Sequence, residues 1–193
     1  MRTGVKIGPI RHHAPSLDGF RRPHFSFAPM DLLHCRTATV ADIGEMARIR
    51  EAGYWTGGAP ALWMARYLAG EHHPHHARAR GIIYVAEEEG QMIGFIVGHL
   101  TSRFGCDGEM QWLYVVPERR GSGTAVRLLD SLATWFVVED ARRVCVNVEP
   151  ENGRARRFYE RQGACPLNDY WLVWPDVGEA RTPRHLPAAP PAA

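Results

Sequence analysis

Hydrophobic and polar positions along the chain follow two periods, which divide it into strands and helices. Short runs rich in aromatic and β-branched residues predict strands at 36–39, 82–86, 92–98, 109–116, 143–148 and 170–174. Apolar residues at helical spacing predict helices after Thr39, from Pro60, from 121 to about 138 and from 152 to 163. Three successive strands followed by strand–helix–strand indicate an antiparallel meander and then a parallel pair with a right-handed crossover. The expected fold class is α/β, with a mixed sheet.

The two ends of the chain lack this periodicity. Residues 1–33 are rich in Pro, Gly and His, and the first 29 of them carry five basic residues against Asp18 alone, so we expect a disordered basic extension. Residues 175–193 form a Pro/Ala-rich tail that is also expected to be disordered. One domain spanning 34–174 lies between them. Because Met30 precedes the first regular element, translation starts at either Met1 or Met30.

Composition excludes several classes of function. The formal net charge is only +2 and the basic excess is confined to the first residues, so no nucleic-acid partner is expected. No apolar run approaches the length needed to span a membrane. The four cysteines are widely separated, which favours free thiols in a reducing compartment, and we expect the cytoplasm. The run His72-His-Pro-His-His76 lacks a carboxylate or cysteine at ligand spacing, so a solvated loop is favoured over a metal site.

The stretch from Glu109 to Ala125 carries the clearest chemical signal. A strand ends at Pro117, and Arg120-Gly-Ser-Gly-Thr-Ala125 then begins a helix. Small residues leave the first helical N–H groups approachable, and the helix dipole favours a phosphate there. The dinucleotide fingerprint fails at Val126, and the phosphate-loop motif fails because the only lysine is Lys6. A tight strand–helix turn without a ligand is the alternative.

A second motif lies in the helix predicted from Asn152 to Gly163. It has the form Asn-x-x-Ala-x-x-Phe-Tyr-Glu-x-x-Gly, in which Asn152 can cap the helix and Gly163 can end it. Together with Arg-x-x-Gly-x-Ala at 120–125, this pattern resembles the GNAT N-acetyltransferase superfamily. The resemblance covers Leu33 to Trp174, and it departs from the family at Ala164, where an aromatic residue commonly follows the glycine.

The resemblance implies an acetyl-CoA site between the two motifs and no metal. The turn amides would hold the pyrophosphate, with Arg120 adding charge. The preceding strand edge would pair with the pantetheine arm where two parallel strands splay apart. The N–H of Val115 would polarise the thioester carbonyl. The cofactor-binding residues implied are Leu113, Tyr114, Val115, Arg120, Gly121, Ser122, Gly123, Thr124, Ala125 and Asn152.

The resemblance also implies two catalytic residues. Tyr159 would protonate the departing thiolate, or would merely pack beside Phe158. Glu109 would act as general base, directly or through water, or would be a solvated strand-end carboxylate; Glu149 is the second candidate for the base. Neither motif contains a cysteine, so direct attack of the amine in a ternary complex is expected.

The resemblance also implies an acceptor pocket at the two early helices, which lie between the first and second strands. Strand alternation predicts Gln111 on the face of Glu109, where it would contact the acceptor, and Trp112 on the opposite face. The pocket is either lined or merely supported by the aromatic residues Tyr54, Trp55, Trp63 and Tyr67.

The resemblance implies an N-acetyltransferase that acts on the primary amine of a small molecule, or on a protein or peptide amine, as a monomer or homodimer. The alternative is a non-catalytic acyl-CoA-binding regulatory module on the same fold.

Overall fold

The computed structural model describes residues 33–51, 60–71 and 76–180. The strands are β1 Leu33–Thr37, β2 Ala77–Glu88, β3 Gln91–Thr101, β4 Gly108–Val115, β5 Val144–Asn147, β6 Cys165–Asn168 and β7 Trp171–Trp174. The helices are α1 Ile43–Glu51, α2 Pro60–Leu68, α3 Thr124–Val138 and α4 Gly153–Arg161. Outside the described residues lie the extension at 1–32, Tyr54 and Trp55, the histidine run at 72–75 and the tail from 181 onward.

The strands form one mixed sheet in the order β1-β2-β3-β4-β5-β7-β6. β1 to β4 are antiparallel neighbours, β4 and β5 are parallel, and β5, β7 and β6 are again antiparallel. The predicted meander, parallel pair and α/β class are therefore confirmed. The parallel pair is short, since it consists of Gly108↔Val144, Glu109↔Cys145 and Met110↔Val146. Beyond Met110, β4 continues to Val115 without pairing to β5.

Helices cover both faces of the sheet. On one face, Leu128, Leu132 and Phe136 of α3 and Tyr159 of α4 belong to a core cluster with alternate residues of β5 and β7. On the other face, Met46 and Ile49 of α1 and Met64 of α2 pack against alternate residues of β2 and β3. Burial on both faces explains why the central strand β3 is almost continuously apolar, because neither face meets solvent.

The ordered core extends past the predicted boundary at Trp174. A short 3₁₀ helix, Val177–Ala180, follows β7, and both of its terminal residues are buried against the α3 layer. The N–H of Val177 donates to the carbonyl of Arg142 at 2.8 Å. The prediction of a disordered tail from 175 was therefore wrong for 175–180, because two isolated apolar residues show no period.

Strand β6 was also not predicted from the sequence, and it contains Pro166, a residue that is uncommon within strands. It lies at the edge of the sheet and pairs only with β7, so the missing proline N–H costs no ladder hydrogen bond.

A β-bulge interrupts β4 at Gln111. The register with β3 passes from Val97↔Trp112 to Gly98↔Met110, which leaves Gln111 as an extra residue. The alternation of side chains reverses there, and Trp112 packs in the cluster beneath α1 and α2. Glu109 faces the same layer, since its Oε2 lies 3.6 Å from Nε2 of His99, whose Nδ1 contacts the Tyr67 hydroxyl of α2 at 3.1 Å. The prediction that Trp112 faces away from Glu109 was therefore wrong.

Candidate active site

A cavity of about 320 Å³ opens where β4 and β5 diverge. One wall comes from β3, β4 and the end of α1, and the other comes from β5, the segment that follows it and α4. The lining residues are Arg50, Phe95, Gln111, Trp112, Leu113, Tyr114, Val146, Asn147, Val148, Glu149, Asn152, Ala155 and Tyr159. The divergence therefore creates a slot in the middle of the sheet.

The edge of β4 turns backbone polar groups toward this slot. The N–H of Val116 donates to the carbonyl of Ile93 on β3 at 2.9 Å. Because successive residues of a strand point their backbone groups to opposite sides, Leu113 and Val115 direct theirs away from β3. In agreement, the Val115 carbonyl accepts a hydrogen bond from Nε of Arg120 at 3.1 Å, and not from β3. An extended ligand can therefore pair with this edge as another strand would.

The turn between β4 and α3 has the backbone that its glycines predict. Gly121 and Gly123 have φ angles of 89° and 91°, which residues with a Cβ rarely adopt. The carbonyl of Gly123 accepts from the N–H groups of Val126 and Arg127, so the amides of Gly123, Thr124 and Ala125 precede the first helical hydrogen bond. The turn itself is not part of the cavity wall; it follows the open edge of β4.

Tyr159 reaches the cavity from α4. The helix begins at Asn152, whose Oδ1 accepts a hydrogen bond from the N–H of Ala155 at 3.1 Å, and both residues line the cavity. The Tyr159 ring is 7% exposed and packs edge-on against Trp174, with 5.8 Å between ring centroids. Burial raises the pKa of Tyr159 above its usual value. The phenol therefore stays protonated at neutral pH.

Glu109 lies beside the cavity and not in its wall. It is 3% exposed, and its Oε2 accepts a hydrogen bond from Nε of Arg103 at 2.9 Å. Burial alone would raise the pKa of Glu109, but its contacts with His99 and Arg103 outweigh burial and hold the pKa below its usual value. The side chain is thus a buried carboxylate paired with a cation. Glu149, in contrast, lines the cavity directly.

Arg50 is a cavity residue that was not predicted from the sequence. It is 8% exposed, and its guanidinium carbon lies 3.2 Å from the centre of the Trp112 ring. A signal for it exists, since Arg50 follows Ile43, Met46 and Ala47 at i+7, i+4 and i+3 on the inward face of α1. A cation at such a position indicates a polar partner within the fold or a ligand.

The described aromatic residues of α2 pack against the sheet. The Trp63 ring lies 3.9 Å from that of Trp112 and 5.0 Å from that of Tyr67, measured between centroids. The Tyr67 hydroxyl donates to the carbonyl of Gly98 at 2.9 Å. Neither Trp63 nor Tyr67 lines the cavity. Trp63 packs against Trp112, which does line it, and Tyr67 packs against Trp63.

Residues 33–51, 60–71 and 76–180 provide neither a metal site nor a membrane-spanning helix. This part of the chain holds no cluster of His, Cys, Asp and Glu suited to a metal ion. Its helices include none that is both long and apolar enough to cross a membrane. All four cysteines are free thiols, as predicted.

Comparison with known proteins agrees with this architecture. Over 81 residues the chain is 36% identical to an uncharacterized N-acetyltransferase of Methanocaldococcus jannaschii, covering 42% of this chain and 50% of that protein. Over 84 residues it is 31% identical to an uncharacterized N-acetyltransferase of Mycobacterium tuberculosis, covering 44% and 53%. Each match thus spans about half the length of the relative.

Solved structures share the fold at lower sequence identity. Ard1 from Thermoplasma volcanium superposes with a TM-score of 0.59 at 20% identity, over 74% of this chain and 95% of that one. The PaiA N-acetyltransferase from Thermoplasma acidophilum, in complex with coenzyme A, superposes with a TM-score of 0.54 at 16% identity, over 73% and 96%.

The splayed sheet, the glycine turn and the helix that carries Tyr159 define an acyltransferase fold. Residues 49–164 match the sequence profile of the Acetyltransferase (GNAT) family. The chain belongs to this family.

Proposed function

We propose that this protein is an N-acetyltransferase that moves an acetyl group from acetyl-CoA to the primary amine of a small molecule. One observation carries the proposal: the cavity at the β4–β5 divergence joins an unpaired strand edge to a buried tyrosine in a chain of the acetyltransferase family. The coenzyme A complex of a structural neighbour supports the choice of cofactor. The free thiols support the cytoplasm as its location.

The cofactor would follow the open edge of β4. The pantetheine amides would pair with the backbone groups of Leu113 and Val115, and Tyr114 would lie between them. The pyrophosphate would reach the amides from Gly121 to Ala125, where the positive end of the α3 dipole favours an anion. Arg120 would add charge beside this turn, and Asn152 would contact the arm from the opposite wall.

The reaction would proceed by direct attack. The amine nitrogen bonds to the thioester carbonyl carbon, and the carbonyl oxygen takes negative charge close to the N–H of Val115. The carbon–sulfur bond then breaks, and Tyr159 gives its proton to the departing thiolate. A protein cysteine is not required, which agrees with the absence of cysteine from the cavity lining.

The proton that leaves the amine needs a carboxylate or a water held by one. Glu149 lines the cavity, whereas Glu109 lies behind it with a lowered pKa and a cationic partner. A general base must come within hydrogen-bond reach of the amine, directly or through one water, so the position of Glu149 in the cavity wall favours it. Glu109 would then act as a base through a water molecule, or it would serve only to balance the charge of Arg103.

Release of free CoA from acetyl-CoA, measured with a panel of primary amines, tests the proposal. We expect turnover with at least one amine and, by titration calorimetry, binding of acetyl-CoA without any amine. The alternative of a non-catalytic acyl-CoA-binding module predicts tight binding and no turnover with every amine. Absence of both binding and turnover would contradict both functions.

A further inference from the structure

The cavity wall carries one positive and one negative side chain. Of the described residues that line it, Arg50 at the end of α1 and Glu149 after β5 are the charged ones. They come from opposite walls, since α1 packs on the sheet beside β4 and Glu149 follows β5. A ligand that carries both a cation and an anion complements such a cavity better than a simple amine does.

Stacking fixes the orientation of Arg50. The guanidinium carbon of Arg50 lies 3.2 Å from the centroid of the Trp112 ring. At this distance the guanidinium group fits only if its plane is close to parallel with the ring. The N–H groups of a guanidinium lie in its own plane, so Arg50 presents donors along its edge, in the geometry that a carboxylate accepts. Burial lowers the pKa of Arg50 to about 10, and the side chain therefore remains a cation at neutral pH.

Gln111 and Tyr114 line the same wall, and each has a buried side-chain polar atom that makes no hydrogen bond within the described part of the chain. These atoms are Oε1 of Gln111, the extra residue of the bulge, and the hydroxyl oxygen of Tyr114. A buried polar group without a partner is unfavourable unless a ligand or water completes it. An amide oxygen accepts a hydrogen bond from an amine, and a phenol donates one to a carboxylate.

We infer that the acceptor is an amino acid or a similar amine that carries a carboxylate, with Arg50 and Tyr114 holding the carboxylate and Gln111 and Glu149 holding the amino group. This inference rests on the proposed acetyl transfer and names its substrate class. The bulge contributes directly, because it places the Gln111 amide in the wall of the cavity. Arg50 and Gln111 are specificity residues in this view, whereas Tyr159 is catalytic.

Matched pairs of amines test the substrate class. Glycine, β-alanine, γ-aminobutyrate and phenylalanine are compared with their decarboxylated counterparts methylamine, ethylamine, propylamine and phenethylamine. We expect kcat/KM for at least one amino acid to exceed that of its counterpart by about 10- to 100-fold, the range for a hydrogen-bonded carboxylate–guanidinium contact. The difference should lie mainly in KM.

Variants of Arg50 then test the residue. In Arg50→Met, kcat/KM for an amino acid should be close to that of its decarboxylated counterpart. Arg50→Lys should keep part of the preference for the carboxylate, since lysine retains the positive charge but lacks the planar set of guanidinium N–H donors. The matched control is Arg48→Met on the same helix, because Arg48 is exposed and pairs with Glu45 at 2.8 Å. The dissociation constant of acetyl-CoA, measured for each variant, reports whether the fold persists.

The outcomes separate this inference from the proposed function. Equal or faster turnover of the decarboxylated amines would overturn the inference and leave acetyl transfer standing. An unchanged preference in a folded Arg50→Met or Arg50→Lys variant would also overturn it. No turnover of any amine, despite tight acetyl-CoA binding, would overturn the proposed enzyme and the inference together.

Discussion

Nε of Arg103 donates a hydrogen bond to Oε2 of Glu109 at 2.9 Å, within a layer where Glu109 is 3% exposed. This pairing balances the negative charge of the carboxylate that the family resemblance implies as a general base. A carboxylate stabilised in its charged form is a weaker proton acceptor than a solvated one. Which of Glu109 and Glu149 acts as the general base can therefore be decided by measuring how much kcat falls when each is replaced.

Removal of each carboxylate in turn should distinguish the two roles. We expect Glu149→Gln to lower kcat by ~100-fold, the usual contribution of a general base. Glu109→Gln should lower kcat much less. It should instead lower thermal stability, because Arg103 loses its buried partner. The opposite pattern of kcat losses would assign the base to Glu109.

Replacing Tyr159 with phenylalanine should affect chemistry more than binding. The ring keeps its packing against Trp174 while the proton donor is lost, so kcat should fall by ~100-fold. The dissociation constant of acetyl-CoA should change less than about twofold. Tyr170→Phe is the matched control, since Tyr170 is 50% exposed. Equal losses in turnover and cofactor binding would remove Tyr159 from the role of acid.

The left-handed glycines of the turn should tolerate no side chain. Gly123→Ala forces a Cβ onto a backbone with φ of 91° and should destabilise the fold by about 1–2 kcal/mol while weakening acetyl-CoA binding. Gly44→Ala is the control, because it lies in α1 with nothing within 4 Å of an added Cβ. That substitution should stabilise by about 0.5–1 kcal/mol. Chemical denaturation measures both, and a neutral Gly123→Ala would contradict the proposed role of the turn.

Acid should weaken the fold through Asp42. Its carboxylate accepts hydrogen bonds from both terminal nitrogens of Arg36 at 2.8 Å and from the N–H of Thr39 at 2.7 Å. Hydrogen bonding to Arg36 holds the pKa of Asp42 well below its usual range. Because the folded pKa lies below the unfolded one, the stabilisation is complete above about pH 4 and disappears as pH falls further.

Asp42→Asn should therefore lower the free energy of unfolding by about 2 kcal/mol at pH 7, with the difference shrinking below pH 4. Urea titrations across this range measure the effect. Glu45→Gln is the control, since its pairing with Arg48 is exposed and contributes little. A pH-independent difference between Asp42→Asn and the unsubstituted protein would contradict the linkage.

Local chemistry in the sequence was sufficient to predict most of the fold. The glycines at 121 and 123, the Asn152 cap and the meander follow from residue type and period, and the structure has each of them. The pairing of Glu109 with Arg103 was not predictable, because it depends on the 3₁₀ turn Arg103–Gly105 folding back over β4. Tertiary contact, not local pattern, sets the environment of that carboxylate.

The side of the sheet on which Trp112 lies could not be predicted from the sequence, for a different reason. Alternation predicts strand faces only while each residue opposes one partner, and the bulge at Gln111 breaks that rule without a glycine to mark it. Arg50 was not predicted as a site residue. Its spacing from Ile43, Met46 and Ala47 places it on the inward face of α1, but its contact with Trp112 depends on tertiary packing, which helical spacing does not give.

The short β4–β5 pairing has a mechanical consequence. Three residue pairs join the strands β1 to β4 to the strands β5, β7 and β6, so the two halves of the sheet are weakly connected at its centre. A ligand inserted as an extra strand would contact both halves and hold them together. Amide hydrogens of β4 and β5 should then exchange more slowly with solvent when acetyl-CoA is bound than in the free protein. The cofactor would thereby serve as a structural brace as well as a donor of acetyl groups.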